Sequence, residues 1–202
     1  MTPPDDANLG PSQQARREAI LAAALELFDE RGFHGSAVPA IAERAGVGAG
    51  TLYRNFASKE ELVNVLFRQW KLRFAEPLLS SWPTPVSPRQ RMASLWRYFC
   101  EFAREHPRAL GFLELHYHGD YLDAQSVALR DSLHRQFIDL VAQLQADQVV
   151  RADVEADVII AIVEGVFLRL HAELRHGHDW PPEQIEKRLG QAERCVWEAI
   201  RP

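Results

Sequence analysis

The chain has 202 residues, of which 47% are hydrophobic, and its formal net charge is −5 at pH 7. The length suits one large domain or two small ones, and the apolar content excludes a chain that is disordered overall. The net negative charge excludes a broad basic surface for nucleic acid. The two cysteines form no disulfide framework, and they fit a reducing cytosol.

The negative charge is not spread evenly along the chain. Residues 12–76 carry nine Lys and Arg against eight Asp and Glu, whereas residues 77–202 carry fourteen against eighteen. Residues 1–11 hold two acids and no base. Nucleic acid bound by the segment 12–76 would therefore be held by a few well-placed cations and by backbone N–H groups.

The ends and the apolar runs of the chain predict a soluble cytoplasmic protein. The opening MTPPDDANLGPS is polar and Pro-rich, unlike a secretory signal, and no apolar run reaches membrane-spanning length without charges. We expect residues 1–11 to form a disordered arm. The sequence has no motif for a nucleophile–base set, a metal centre or a cofactor, so we expect no enzyme activity.

Nearly every periodic segment predicts an α-helix. Ser12 is expected to cap the first helix, which ends near Gly32. Two short helices follow over Ala37–Arg44 and Gly48–Asn55. Ser58 begins a fourth helix, because Ser-Lys-Glu-Glu is a capping-box sequence.

The second part of the chain also predicts helices. Pro77 is expected to end the fourth helix, and the prolines within residues 80–88 predict a loop. Ser87 caps the next helix in a second box. Further helices are predicted over about 108–118, 123–147, 153–176 and 181–200. The fold class is all-α, with a helix-turn-helix domain over 12–57, a connecting helix over 58–76 and a helical ligand-binding and dimerisation domain over 77–202.

The segment 36–62 has the pattern of a helix-turn-helix. Ile41 and Leu52 are placed to pack two short helices together, and Ala42 is small at their crossing. Gly46 supplies the positive φ that the tight turn needs. Phe56 is placed to lock the end of the second short helix. A plain helical hairpin of a bundle core is the alternative, but it has no need for the polar and amphipathic residues on this helix.

These residues resemble the DNA-binding domain of the TetR/AcrR family of bacterial transcriptional regulators. The resemblance covers about residues 15–70 and rests on these matches: Leu27-Phe28, Gly32-Phe33, Ile41-Ala42, Ala45-Gly46-Val47, Gly50-Thr51-Leu52-Tyr53, Phe56, Ser58-Lys59-Glu60 and Leu62. Beyond Pro77 only length and helical layout agree with the family.

The resemblance implies that Gly48–Asn55 is the recognition helix, and that Thr51, Tyr53 and Lys59 contact DNA. Arg54 and Asn55 have side chains able to read guanine and adenine edges. Where the family often has a polar residue, this chain has Ala37 and Gly48, and Ser36 is a possible replacement for the first. The predicted DNA-binding set is Ser36, Ala37, Pro39, Gly48, Ala49, Gly50, Thr51, Tyr53, Arg54, Asn55 and Lys59.

The segment Val158–Leu170 is apolar nearly all round, so a helix formed by it needs a cover on more than one side. We expect it to pair with the last helix in a four-helix interface of a C2 homodimer, as the resemblance also implies. A central helix of a monomer is the alternative. The predicted interface residues are Val158, Ile162, Gly165, Val166, Leu189, Ala192 and Val196.

The C-terminal half is also expected to hold an apolar pocket for a small effector. The predicted lining is Trp96, Phe99, Cys100, Phe102, Leu113, Glu114, Tyr117, His118, Tyr121, Val163 and Phe167. Glu114 and His118 share a helix face, where they form either a polar end of the pocket or an ordinary ion pair. The histidines at 116–118 and 171–178 fit no closed zinc pattern, so no metal site is predicted.

These features together predict a ligand-responsive repressor that binds a palindromic operator as a dimer and is released by a small, mostly apolar or aromatic effector. The end of the fourth helix, from Trp70 to Pro77, is the expected lever. The alternatives are an activator, or a DNA-binding adaptor without an effector, which a solid helical core would favour.

Overall fold

The computed structural model describes residues 10–80, 87–115, 119–176 and 180–202, and within these it is helical with no β-strand. The all-α prediction is confirmed. No helix in these ranges is both long enough and apolar enough to span a bilayer. The helices are α1 Pro11–Gly35, α2 Val38–Arg44, α3 Ala49–Asn55, α4 Lys59–Ser80, α5 Pro88–Glu105, α6 Pro107–Leu115, α7 Ala124–Ala146, α8 Ala156–His176 and α9 Pro182–Ile200, with a 3₁₀ turn over Gly119–Tyr121.

Helix ends follow local chemistry, with two differences from the sequence prediction. The N-cap of α1 is Gly10 without a side-chain cap, and Pro11 takes the first position, so Ser12 is not the cap. The Ser87 capping box is confirmed, because Ser87 Oγ accepts the Gln90 N–H and Gln90 Oε1 accepts the Ser87 N–H at 2.9 Å. Pro77 does not end α4, which continues to Ser80.

The tolerance of Pro77 inside α4 has a visible cause. Proline has no N–H, so the carbonyl of Arg73 lacks its usual donor. The Tyr98 hydroxyl of α5 donates to the Phe74 carbonyl at 2.8 Å and lies 3.5 Å from the Arg73 carbonyl. A side-chain hydroxyl therefore donates to the carbonyls one turn before Pro77, where the proline cannot, and this turn of the helix stays intact.

The chain forms two compact units. Among the described residues, the first unit comprises 10–72, 108–115 and 119–129, and the second comprises 73–80, 87–107, 130–176 and 180–202. The segment 108–129 joins the first unit through its aromatic side chains. The Phe112 ring stacks on Phe28 with centroids 6.1 Å apart, and the Tyr121 ring stacks on Phe33 at 4.4 Å.

Polar contacts fix the same segment within the first unit. The buried Asn64 of α4 donates to the Tyr121 carbonyl at 2.8 Å and accepts the Asp123 N–H at 2.9 Å. Arg68 donates to the Asp123 carboxylate, which also caps the first turn of α7 by accepting the Ser126 N–H. Burial alone would raise the pKa of Asp123, but the hydrogen bonds from Ser126 and then the bond and charge of Arg68 together outweigh it, so the pKa is lowered. No spacing rule in the sequence connects α4 with a loop about 58 residues further on.

Candidate nucleic-acid interface

The turn between α2 and α3 is built on one left-handed glycine. Gly46 has φ +67°, its N–H donates to the Glu43 carbonyl at 3.0 Å, and the Val47 N–H donates to the Ala42 carbonyl at 3.0 Å. These two bonds form a Schellman motif, in which a left-handed residue after the helix end satisfies its last carbonyls. The predicted positive φ is confirmed, and it sets the angle at which α3 leaves α2.

The two short helices are held by the predicted apolar contacts. Ile41 and Leu52 are fully buried, and Ala42 and Phe56 are nearly so. Burying a Leu or Ile side chain contributes about 1.5–3 kcal/mol, which is large for helices of seven residues that are unstable alone. The conformation of α3 therefore depends on its packing against the rest of the first unit.

Arg17 of α1 is a positioning residue that the sequence reasoning missed. Its side chain is only 3% exposed, and its guanidinium donates to the Asn55 carbonyl at 2.9 Å and lies 4.3 Å from the centre of the Phe56 ring. A cation at the C-terminal end of α3 complements both the last carbonyls and the helix dipole. The only signal in the sequence was a cation placed before an apolar helical stripe, which resembles any surface arginine.

Most of the predicted DNA-contacting residues lie on exposed surface at the N-terminal ends of α2 and α3 and along α3. Tyr53 is 54% exposed, and Thr51 is half-buried. The other exposed members are Ala37, Pro39, Gly48, Ala49, Gly50 and Arg54. The small residues leave the backbone of the first turn of α3 accessible, where the first N–H groups have no intrahelical acceptor. This arrangement suits a phosphate backbone approached closely by main-chain donors.

Arg54 is pre-oriented on this surface. Its guanidinium donates to Thr51 Oγ1 at 2.8 Å, one turn earlier on α3. The remaining guanidinium donors suit either a guanine edge or a phosphate. Thr51 and Arg54 thus act together as one polar group on α3.

Two predicted DNA-contacting residues are buried instead, which corrects the expectation for them. Asn55 is 8% exposed, and its amide donates to the Thr51 carbonyl at 2.8 Å, so its hydrogen-bonding edge is turned into the protein. Ser36 is fully buried, and its hydroxyl lies within hydrogen-bond distance of the Leu27 and Gly32 carbonyls. Ser36 therefore closes the end of α1 rather than capping α2, whose N-cap is Ala37 without a side-chain bond.

Lys59 has protein partners in this structure. Its ammonium donates to the Phe33 carbonyl at 2.8 Å and lies 4.1 Å from the centre of the Phe33 ring. Lysine has three N–H donors, so a phosphate contact by Lys59 stays compatible with this bond. The contact also joins the start of α4 to the Gly32–Gly35 exit of α1.

Charge on the first unit is partly neutralised by ion pairs. Glu26 of α1 accepts hydrogen bonds from Arg44 at 2.9 Å and from Arg108. The hydrogen bond from Arg44 is the main reason that the pKa of Glu26 is lowered, and Arg108 adds to it. Arg44 also lies 3.5 Å from Glu30. These two arginines are therefore engaged within the protein, and Tyr53, Thr51 and Arg54 are the polar side chains that α3 offers outward.

The predicted dimer residues fall mainly on one open apolar groove of α8 and α9 in the second unit. Val158 is 46% exposed and Val166 is 38% exposed. Gly165 is exposed, and Ile162, Leu189 and Ala192 are half-buried. Val196 is the exception, because it is only 1% exposed and packs inside its own protomer. Ile162, Gly165, Val166 and Ala192 line the groove together with Arg169, Leu170 and Arg188.

The predicted ligand residues do not come together in one described site. Leu113 and Tyr121 belong to the first unit, where Leu113 is buried and the Tyr121 ring stacks on Phe33. Trp96, Phe99, Phe102 and Phe167 form an aromatic core in the second unit, with Cys100 half-buried beside them in sequence. The described part of the structure does not include His116, Tyr117, His118 and His178, nor the side chains of Glu114 and His176.

The second unit contains an apolar cavity of about 100 Å³ that the sequence reasoning located only in part. Phe99 and Val163 are the two predicted residues that line it. Its walls come from the ends of α4 and α9 and from α5, α7 and α8, and they include Met92, Leu95, Phe137, Leu140, Ile159 and Trp197. Aromatic and ionisable residues determined the prediction, whereas the cavity is lined mainly by aliphatic side chains that resemble core positions in a sequence.

Two family models together cover most of the chain. Residues 20–66 match the model described as "Bacterial regulatory proteins, tetR family". Residues 67–202 match the model described as "Tetracyclin repressor-like, C-terminal domain". The first match contains α2, α3 and the turn around Gly46, and the second contains both the cavity and the α8–α9 groove.

Individual proteins agree with these matches. The HTH-type transcriptional regulator UidR of Escherichia coli K12 is 39% identical over 75 residues, which are 35% of this chain and 38% of UidR. The chain thus spans less than half the length of that relative. The HTH-type transcriptional repressor KstR2 of Mycolicibacterium smegmatis is 29% identical over 76% of this chain and 77% of its own. A TetR family transcription regulator of Shewanella sp. PV-4 superposes with a TM-score of 0.72 at 26% identity, over 92% of this chain and 97% of that one.

Proposed function

Because the chain belongs to the TetR family of DNA-binding transcriptional regulators, we propose that it is a cytoplasmic repressor that binds a palindromic operator as a homodimer and releases it when a small apolar ligand binds. The observation that carries the proposal is the exposed face of α3. Tyr53 and the Arg54–Thr51 pair project beside the accessible backbone of Gly48, Ala49 and Gly50.

The affinity for DNA comes mainly from groups that bind phosphates. The accessible N–H groups at the start of α3 and the Tyr53 hydroxyl hold the backbone, with Lys59 adding charge. Base reading rests on Thr51 and Arg54, because Asn55 is buried and Ala49 and Gly50 have almost no side chain. Much of the sequence preference therefore comes from two side chains and from DNA shape.

The dimer is formed through α8 and α9. Val158 and Val166 are the two exposed large apolar residues of these helices among the described residues, and the groove around Val166 is mostly apolar. A C2 dimer uses each such residue twice, so one groove covers the other. The two copies of α3 then read half-sites one helical turn of DNA apart, about 34–36 Å, or a multiple of it.

The apolar cavity in the second unit favours a ligand-responsive regulator over an adaptor with a solid core. A ligand there changes operator affinity only through its different affinity for the two conformations of the dimer. The HTH-type transcriptional repressor KstR2 aligns over 76% of this chain, which favours repression over activation.

Operator selection from a random duplex library tests the proposal. The full chain is expected to enrich a palindrome, and Tyr53→Ala is expected to weaken binding to that palindrome by at least tenfold at fixed salt. Arg97→Ala, at an exposed arginine of α5, is the matched control and leaves the affinity unchanged. Recovery of no palindrome, or full affinity in Tyr53→Ala, contradicts the assignment of α3.

A further inference from the structure

The cavity of the second unit has one polar atom that lacks a partner. The only charged residues that line it, within the described chain, are Arg91 of α5 and Glu164 of α8. The Arg91 Nε is buried and has no hydrogen-bond acceptor. A buried N–H without an acceptor costs free energy, because it has lost water and gained nothing. All other lining residues have apolar side chains, so no other side chain in the wall offers an acceptor for it.

The two charged residues differ in what they offer a ligand. Glu164 is already engaged in another interaction within the protein. The Arg91 guanidinium has a planar fork of donors that matches the two oxygens of a carboxylate. A ligand group that accepts the Nε–H supplies the acceptor that the protein lacks. A dianion such as a phosphate monoester would place more negative charge close to Glu164 than a carboxylate does.

The size of the cavity limits the apolar part of the ligand. Its volume is about 100 Å³, and a dry cavity of about 150 Å³ holds a benzene ring. Met92 lies in the wall, and a methionine side chain adapts its shape at small cost. The cavity is smaller than the one that holds benzene, so it accepts one aromatic ring or a chain of roughly four to six carbons only when Met92 shifts. It excludes a long acyl chain or a multi-ring body without larger rearrangement.

We propose that this cavity binds a small monocarboxylate, aromatic or short-chain aliphatic, with its apolar body among the aliphatic side chains and its carboxylate on the Arg91 guanidinium. The proposal rests on the proposed function in that it names the ligand class of the same regulatory cavity. Arg91 is then the residue that selects an anion over a neutral molecule of equal shape.

Calorimetric titration of the full chain with matched probes tests this assignment. Benzoate, its neutral analogue benzamide and the cation benzylamine differ mainly in charge, and butanoate, hexanoate and octanoate differ in length. Benzoate is expected to bind at least tenfold tighter than benzamide or benzylamine, and octanoate to bind more weakly than hexanoate. Arg91→Met is expected to lose at least tenfold for benzoate with benzamide unchanged, because the variant keeps the apolar stem and removes the charge.

Two further variants keep the result interpretable. Arg97→Met removes an exposed arginine of the same helix and is expected to bind benzoate like the wild type. Arg91→Lys keeps the charge without the fork and is expected to bind with intermediate affinity, which protects the test if Arg91→Met does not fold. Equal affinity for benzoate and benzamide, tighter binding of benzylamine, full benzoate affinity in Arg91→Met, or no binding of any probe overturns the proposal.

Operator binding separates this proposal from the proposed function. A chain that binds its operator but shows no Arg91-dependent carboxylate binding keeps the regulator and loses this ligand class. A chain that binds benzoate through Arg91 but recognises no palindrome keeps the ligand site and loses the operator. Binding of benzoate without release of DNA identifies a carboxylate site that does not control the operator.

Discussion

Replacement of single glycines by alanine measures how much the turn geometry of the first unit contributes to stability. Gly46 has φ +67°, Gly32 has φ +69° with ψ 175°, and Gly50 lies in α3 with an ordinary negative φ. A Cβ added at any of the three meets no atom within 4 Å. The three substitutions therefore differ in backbone strain and not in steric overlap.

The expected magnitudes follow from these angles. A left-handed alanine costs about 1–2 kcal/mol, which is the expected loss of unfolding free energy for Gly46→Ala. Gly32 lies in a region that is essentially restricted to glycine, so Gly32→Ala is expected to cost about 2–3 kcal/mol. Gly50→Ala is expected to stabilise by up to about 1 kcal/mol, because alanine is the better helix former.

Urea unfolding followed by far-UV circular dichroism gives these values from the shift of the midpoint at constant slope. A semisynthetic chain with D-alanine at position 46 is the matched control, since D-alanine prefers positive φ, and it is expected to be at least as stable as the glycine form. Equal destabilisation by all three L-alanine substitutions, or no recovery with D-alanine, refutes the reasoning from backbone strain.

Three further predictions concern single side chains. Arg17→Met is expected to weaken operator binding and to cost about 2–4 kcal/mol of unfolding free energy, because it removes a charge-assisted hydrogen bond and a cation–π contact. The control Arg31→Met, at an exposed site of the same helix, is expected to cost less than about 0.5 kcal/mol. Similar values for both variants would show that Arg17 has no positioning role. Burial raises the pKa of Tyr98 and of Tyr121 to about 12 from an ordinary 10. The stability that they contribute is therefore complete below pH 10 and lost as pH rises towards 12. Tyr98→Phe is expected to cost about 1–2 kcal/mol, whereas Tyr53→Phe costs almost nothing, and a tyrosinate absorbance titration with one midpoint near pH 10 for every tyrosine would contradict this. Burial also raises the pKa of the Cys100 thiol to about 11, so iodoacetamide at pH 8 is expected to modify the exposed Cys195 first. Equal modification rates of the two cysteines, measured by mass spectrometry, would argue against the burial of Cys100.

The sequence predicted the parts of the fold that are determined by local chemistry. The Gly46 turn, the Ser87 capping box and the burial of Ile41 and Leu52 each follow from a residue type at a fixed spacing, and each is confirmed. The end of α4 was predicted wrongly, because Pro77 is supported by a hydroxyl from α5 that no local rule reveals.

At the candidate site, too, the sequence predicted local features but not long-range contacts. Tyr53 and Arg54 are exposed as the prediction of a DNA-contacting helix requires. No local rule reveals that Asn55 is buried, with its amide bonded to the Thr51 carbonyl and its own carbonyl bonded to Arg17. Only Phe99 and Val163 of the predicted set line the cavity, because aromatic and ionisable groups stand out in a sequence while the mainly aliphatic walls of a cavity look like core. Val196 illustrates the same limit, since its helical position alone did not separate the groove from the interior.

Val166→Glu tests whether a dimer formed by α8 and α9 places two copies of α3 on one palindrome. Burying a valine contributes about 1.5–3 kcal/mol, and each dimer contains two such sites, so two buried carboxylates are expected to raise the dimer dissociation constant by more than about 100-fold. Analytical ultracentrifugation and operator titration on the same samples are expected to show a folded monomer that has lost affinity for the palindrome, while Leu72→Glu, at an exposed apolar residue of α4, stays dimeric and binds DNA like the wild type. A Val166→Glu protein that remains a dimer, or a monomer that binds the palindrome with wild-type affinity, would contradict the account.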